Sequence, residues 1–300
     1  MVDPNLSKKI EYLSQMYFEL DEPVPYKGLK IHPVKVKDYY KFYSVIPIFT
    51  IDKNRDVKGI PLSYLDYLVL LMSEEDGNKY TQQLIILLEM ILKIDNGLYC
   101  DNEDCEYHKE IISYYDIWKE IDKIKDNVEK EKKLNEIFYC PKCGNKRKEV
   151  FSLVKNNKTK KSSLNIFGIE FNSREFDELR EIVCHQNIPD YGSQGEFFDK
   201  ELEEELKLKA KMENPNNVQP TLEKQLNCIV SASGYTYKEL KKITIRRMVL
   251  LLRTIDAKLH YFCYRQAEAS GKLTMPLCIV RCIVKAIELL GSFKAVSATT

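Results

Sequence analysis

Two short cysteine-bearing stretches, "LYCDNEDCEYH" and "FYCPKCGNKRK", constrain the fold of this chain more than any other feature. The first carries Cys100 and Cys105 in a C-x4-C spacing, and the second carries Cys140 and Cys143 in a C-x2-C spacing before Gly144. Two cysteines in a tight turn can ligate one tetrahedral ion, and glycine permits the positive φ that such a turn needs. The sequence therefore predicts one Zn2+ site made by these four cysteines.

The type of zinc site follows from the number of sulfur ligands. Four thiolates leave no open coordination position, which is typical of structural rather than catalytic zinc. His108 lies in a C-x2-H spacing with Cys105, so three cysteines and His108 form an alternative ligand set. The chain has nine cysteines. This odd number, and an N-terminal stretch unlike a secretion signal, indicate a reducing compartment.

The long insert between the cysteine stretches has an apolar pattern of helical period. Residues 109–136 therefore predict a helix or a helical hairpin whose ends the metal holds together. Its apolar positions are Ile111, Ile112, Tyr115, Ile117, Trp118, Ile121 and Ile124. We expect Trp118, the one tryptophan, to pack the insert onto the rest of the protein. The alternative is a partner-binding surface, where tryptophan is enriched.

Charge is unevenly distributed around the second cysteine stretch. Residues 101–136 sum to −5, whereas residues 141–161 sum to +7. Lys146, Arg147 and Lys148 in this basic stretch are candidate partner-binding residues, and the pattern resembles nucleic-acid-binding zinc ribbons. No aromatic residues are interleaved with these lysines, so a base-stacking platform is missing. We therefore expect a solvated basic face, and a nucleic-acid-binding regulator is the alternative function.

Local signals predict the elements of the N-terminal half. Lys27-Gly28 is a turn signal between short alternating runs, which indicates a β-hairpin. Ser63 and Thr81 are candidate N-caps of two apolar helices that should form the core, and Asn96-Gly97 is the predicted end of the second.

The C-terminal half contains two capping-box patterns and a long amphipathic helix. The boxes are Asn172 with Glu175 and Thr236 with Glu239. An apolar stripe follows from Met248 to Phe262, in a helix predicted to end at Gly271.

The cysteines outside the two stretches do not suggest catalysis. Cys184 and His185 are neighbours on a predicted helix, where their side chains diverge, so they are a poor catalytic pair. We expect Cys184 to be buried and His185 to lie at the surface. The remaining cysteines sit among apolar residues and are expected to be buried thiols: Cys228, Cys263, Cys278 and Cys282.

These patterns predict a mainly α-helical protein with small β-hairpins, of the α+β class. The expected parts are residues 1–97 with a hairpin and helices, residues 98–150 with the zinc-ribbon-like element and its helical insert, and residues 151–300, mostly helical.

No window reaches the run of about 18 apolar residues of a membrane span. The net charge of +1 provides no field toward nucleic acid or membrane. No phosphate loop, G-x-S-x-G or H-E-x-x-H motif is present, so no catalytic residues are expected.

Three stretches carry a resemblance to a known family. They are "PVPYKGLKIHPVKVKDYYKF", "LNIFGIEFNSREFDELREIVCHQN" and "GYTYKELKKITIRRMVLLLRTIDAKLHYFCYRQAEASG". They resemble tail-assembly and baseplate-associated proteins of tailed bacteriophages, including the baseplate-hub assembly proteins. In that family a Tyr-x-Gly-Leu-x-Ile hairpin leads into an aromatic helix, and a helical C-terminal half follows. The cysteine stretches, their insert and the tail after Gly271 do not map onto this pattern.

The resemblance implies a non-enzymatic assembly factor or structural component. Such a protein would be made in the host cytoplasm and would bind other tail or baseplate proteins, with incorporation into the virion tail left open. The family offers no catalytic residues to carry over.

Overall fold

The computed structural model describes residues 4–155, 161–189, 191 and 221–270. The chain divides into two compact units, one of Met1–Val34 with Asp38–Asn187 and the other of Lys35–Lys37 with Ile188–Thr300. Residues 151–187 thus lie in the first unit, whereas the sequence grouped them with the C-terminal helices. Cys278, Cys282 and the tail from residue 272 onward lie outside the described residues.

Among its described residues, the first unit is mainly helical with three small antiparallel sheets, which confirms the predicted α+β class. Its helices are α1 (Pro4–Leu13, continued by a π-helical turn at Ser14–Phe18), α2 (Tyr39–Val45), α3 (Pro47–Thr50), α4 (Tyr64–Met72), α5 (Asn78–Leu92), α6 (Tyr114–Ile121), α7 (Asn127–Phe138) and α8 (Ser173–Asn187). Its strands are β1 (Val24–Tyr26), β2 (Leu29–Ile31), β3 (Gly97–Tyr99), β4 (Ile111–Ser113), β5 (Lys148–Glu149), β6 (Phe151–Lys155), β7 (Ser162–Ile166) and β8 (Ile169–Phe171). The sheets are β1-β2, β4-β3-β5 and β6-β7-β8.

The β1-β2 hairpin forms where the turn signal predicts it. Lys27 and Gly28 both have positive φ, 49° and 79°. A two-residue turn with both φ positive matches the right-handed twist of the flanking strands. Tyr26 pairs with Leu29 across this turn.

The core of the first unit is built on α4, α5 and α8. Ser63 caps α4, because its hydroxyl accepts a hydrogen bond from the backbone N–H of Asp66 at 3.1 Å. Phe176 of α8 is fully buried and lies edge-on to Phe49, with ring centroids 5.6 Å apart. The predictions of the Ser63 cap and of an apolar core made by α4 and α5 are confirmed.

The predicted ends of α5 are wrong. The helix begins at Asn78 and not after Thr81, because Gly77 is its N-cap. It ends at Leu92, where Lys93 takes the left-handed conformation, and Gly97 already belongs to β3. Lys93 acts here in the way that glycine usually does at a helix C-terminus.

Both predicted capping boxes form. In the first, the backbone N–H of Asn172 donates to Glu175 at 2.9 Å, and the N–H of Glu175 donates to the Asn172 side chain at 3.1 Å. The second joins Thr236 and Glu239 in the same reciprocal way. Each box satisfies two backbone donors at a helix N-terminus that would otherwise lack partners.

The described part of the second unit is helical. Its helices are α9 (Leu222–Ser233), α10 (Tyr237–Leu240) and α11 (Ile245–Ala269). α9 packs against α11, and Met248 near the start of α11 is fully buried. Farther along the same apolar stripe, Leu259 is 57% exposed and Phe262 is 56% exposed. In the described ranges, no helix combines the length and apolar character needed to cross a membrane.

Candidate metal centre

The β4-β3-β5 sheet brings the two cysteine stretches to one place. Tyr99 at the end of β3 pairs with Ile111 of β4 on one side and with Lys148 of β5 on the other. Cys100 directly follows Tyr99, and the second cysteine stretch directly precedes β5. Both cysteine loops therefore emerge at the same end of this three-stranded sheet.

Four sulfur atoms meet at this end of the sheet. The Sγ atoms of Cys100, Cys105, Cys140 and Cys143 all lie within 4.8 Å of one another. The Cys100–Cys143 and Cys105–Cys140 Sγ pairs are each 3.6 Å apart. A tetrahedral ion with Zn–S bonds of about 2.3 Å places its sulfurs roughly 3.8 Å apart. The cluster is therefore compatible with a metal site, and its spacing fits one tetrahedral ion.

Backbone N–H groups support the negative charge that such ligands carry. The N–H groups of Cys143 and Lys142 donate to the Cys140 sulfur and lower the pKa of this thiol to about 6. The N–H of Tyr107 lies 3.4 Å from the Cys105 sulfur. Burial raises the pKa of Cys100 to about 12. A metal ion binds the thiolate form, so its binding would release the proton of Cys100 to solvent.

His108 does not belong to the cluster of sulfur atoms. Its Nδ1 lies 3.1 Å from the backbone carbonyl oxygen of Asn102, in the loop between Cys100 and Cys105. This hydrogen bond orders the loop around Cys105. The geometry favours the four-cysteine set over the alternative that includes His108.

The insert forms a helical hairpin of α6 and α7, one of the two forms that the sequence left open. Its small core centres on Leu98 of β3 with Ile117 and Ile121 of α6, each less than 5% exposed. The surrounding partly buried side chains are Ile112, Tyr114, Ile124, Leu134 and Ile137. We call residues 97–149 the ribbon module: the β4-β3-β5 sheet, the two cysteine loops and this hairpin.

The expectation that Trp118 packs the insert onto the rest of the protein is wrong. Its side chain is 56% exposed on α6, next to Tyr115, which is 75% exposed. An aromatic contact between the ribbon module and the turn that joins β7 to β8 is made by Tyr99 of β3, which is 2% exposed and lies against Phe167, with ring centroids 4.7 Å apart. Sequence reasoning missed Tyr99, although the apolar run before Cys100 suggests a buried strand.

Acidic groups of the first cysteine loop neutralise part of the basic stretch. Lys148 forms an ion pair with Asp101, and Lys142 forms one with Glu106 at 3.0 Å. Arg147 is half-buried and donates to the carbonyl oxygen of Ile137 at 2.9 Å, near the end of α7. Of the three predicted partner-binding cations, Lys146 and Lys148 are exposed. These contacts support the expectation of a solvated face rather than a nucleic-acid platform.

The other described cysteines form no further metal cluster with His, Asp or Glu among the described residues. Cys184 is fully buried, as predicted, and the neighbouring His185 pairs with Glu181 at 3.5 Å. Cys228 and Cys263 are exposed, so the prediction that they are buried thiols is wrong. The apolar neighbours of Cys263 in the sequence, Phe262 and Tyr264, are exposed as well, so they do not mark a buried side of α11.

Comparison with protein-family models, with curated proteins and with solved structures found no match.

Proposed function

We propose that this chain is a non-enzymatic assembly protein whose ribbon module is held by a structural Zn2+ and docks other proteins. The observation that carries the proposal is the set of four converging sulfur atoms. They supply all four ligands of a tetrahedral ion and leave no position for a substrate or a reactive water. The ion would stabilise a module whose helical hairpin is held by a small apolar cluster with three buried residues, Leu98, Ile117 and Ile121.

Zinc is proposed over other metals because of the ligand chemistry. Thiolate ligands in tetrahedral geometry favour zinc or iron over magnesium and calcium, which prefer oxygen. We expect one equivalent of zinc in protein purified without added metal, measured by inductively coupled plasma mass spectrometry. Cobalt substitution should give the absorption of a four-sulfur tetrahedral site. A spectrum with an oxygen or nitrogen ligand would contradict the closed site and favour a catalytic one.

We place this assembly role in the tail or baseplate of a tailed bacteriophage. The support is the sequence resemblance, carried by the β1-β2 hairpin with α2, by β7 to α8 and by α10 with α11. The exposed Tyr115 and Trp118 on α6 are side chains of the type that anchor protein interfaces. The protein would act in the host cytoplasm and would bind other tail or baseplate proteins.

Affinity capture from infected cells tests this role. The tagged protein should recover tail or baseplate proteins, and the Trp118→Ser variant should recover less of them. Val57→Ser is the matched control, because Val57 is an exposed apolar residue that lies 40 positions before the start of the ribbon module. Recovery of no tail protein, together with normal tails after deletion of the gene, would refute the phage role.

A further inference from the structure

An exposed strip on α6 combines aromatic and acidic side chains. Tyr115, Trp118 and Asp122 lie three to four positions apart, which places them on one side of the helix. They are exposed, whereas Ile117 and Ile121 on the other side are buried. We call these three residues the α6 face. The surrounding sequence, residues 110–122, has four acidic groups and one lysine, a sum of −3.

A second exposed strip, of opposite charge, lies on α11. Its apolar residues Leu259 and Phe262 are more than half exposed, and the exposed cations Lys258 and Arg265 lie beside them. We call these four residues the α11 face. Around this face, residues 253–268 carry three basic and two acidic groups, a sum of +1, and Arg265 forms an ion pair with Glu268 at 2.6 Å.

The two faces are complementary in both charge and spacing. Each presents two large apolar side chains three positions apart, so each offers a patch of about one helical turn. Pairing two α6 faces would bring acidic groups together, and pairing two α11 faces would bring basic groups together, which is unfavourable. An α6 face against an α11 face places opposite charges around an apolar centre.

We propose that the α6 face of one copy docks on the α11 face of a second copy, head to tail. Because the two contacting surfaces differ, a pair of bound copies still offers one free α6 face and one free α11 face. Such heterologous contacts close into rings when the rotation allows it and otherwise extend into filaments. The inference rests on the proposed role of the ribbon module as a docking surface, and names the chain itself as the partner.

Self-association is measured by sedimentation velocity on the full chain. The mean mass should rise with concentration over an about hundredfold range, because association obeys mass action. It should fall as salt is raised, since exposed ion pairs are screened. A monomer at every concentration in low salt overturns the inference.

Two single-face variants test the head-to-tail geometry. Trp118→Ser removes the anchor of the α6 face, and Phe262→Ser removes the anchor of the α11 face. Each variant alone should associate at least about tenfold more weakly, because loss of a central aromatic anchor has effects of that size or larger. A mixture of the two should form a one-to-one complex, since each variant keeps the face that the other lacks. Val57→Ser should associate like the wild type.

The alternatives give different patterns. If only Trp118→Ser weakens association, α6 faces pair with each other, and if only Phe262→Ser does, α11 faces pair; either result overturns the proposal. A mixture that stays monomeric also overturns it. Tyr115→Ser and Leu259→Ser repeat the design at neighbouring exposed positions, and circular dichroism checks that each variant keeps its helices. Self-association without capture of tail proteins would refute the phage role alone, whereas capture by a monomer would refute this inference alone.

Discussion

Replacing Cys140 with serine should loosen the ribbon module and leave the rest of the first unit folded. Cys140 contributes one of the four clustered sulfurs and is 1% exposed. Its sulfur lies 3.6 Å from that of Cys105, 35 positions earlier in the chain. A metal that joins these residues acts as a cross-link that closes this long loop.

The expected size of the effect follows from the length of the closed loop. A covalent cross-link over 35 positions removes chain entropy worth about 4 kcal/mol from the open state. At 1.4 kcal/mol for each factor of ten, loss of the cross-link should raise the local opening constant of the module about a thousandfold. The small core at Leu98, Ile117 and Ile121 would have to hold the hairpin alone.

Hydrogen exchange read by mass spectrometry measures this opening segment by segment. Exchange in α6 and α7 should accelerate about a thousandfold in Cys140→Ser. The same acceleration is expected when a chelator is added to the wild type, and both treatments should remove the bound zinc. Amides of α4 and α5 should keep their protection. Cys228→Ser, at an exposed cysteine outside the cluster, is the matched control.

Two results would show that a metal at Cys140 does not cross-link the module. One is full zinc content in Cys140→Ser, which would place the metal elsewhere. The other is complete loss of zinc with less than about a tenfold change in exchange of α6, since the module would then be stable without the loop closure. His108→Ala should retain zinc, because His108 is bonded to the Asn102 carbonyl oxygen.

Three further predictions concern stability. Phe176→Ala, at a fully buried ring, should lower the free energy of unfolding by about 3–5 kcal/mol in urea titration, because it leaves a large cavity. Ser63→Ala removes the N-cap of α4 and should lower it by about 1 kcal/mol in the same assay. Burial and the nearby carboxylate of Glu149 raise the pKa of Tyr114 from 10.0 to about 12. Because the folded protein favours the neutral phenol of Tyr114, this stabilisation is fully present below pH 10, the pKa in the unfolded chain. It is lost as the pH rises toward 12, so the ribbon module should become less stable between pH 10 and 12. Hydrogen exchange of α6 across this range should show the loss in the wild type and a smaller loss in Tyr114→Phe.

The features predicted correctly from sequence depend on neighbouring residues. The Lys27-Gly28 turn, the Ser63 cap and the box at Asn172 follow from backbone preferences and short-range hydrogen bonds. The grouping of the four cysteines also follows from local spacing, since each loop needs only a tight turn to present two thiols. These interactions differ little between folds, so the pattern alone identifies them.

The features that the sequence did not predict depend on residues far along the chain. Trp118 has the helical spacing of a core residue, but α6 buries Ile117 and Ile121 and leaves Trp118 outside. Cys228 and Cys263 lie among apolar neighbours in the sequence, yet both are exposed. Which side of an amphipathic helix is covered depends on its tertiary partners, and periodicity does not identify them.

The two ends of the ribbon module lie side by side. Leu98 near its start pairs with Glu149 at its end, and the N–H of Val150 donates to the carbonyl oxygen of Gly97 at 2.9 Å. The chain thus leaves and re-enters the body of the first unit at almost the same point. A protein engineer could cut out this cassette and bridge the gap with a short linker, or graft another hairpin in its place, without rerouting the neighbouring helices.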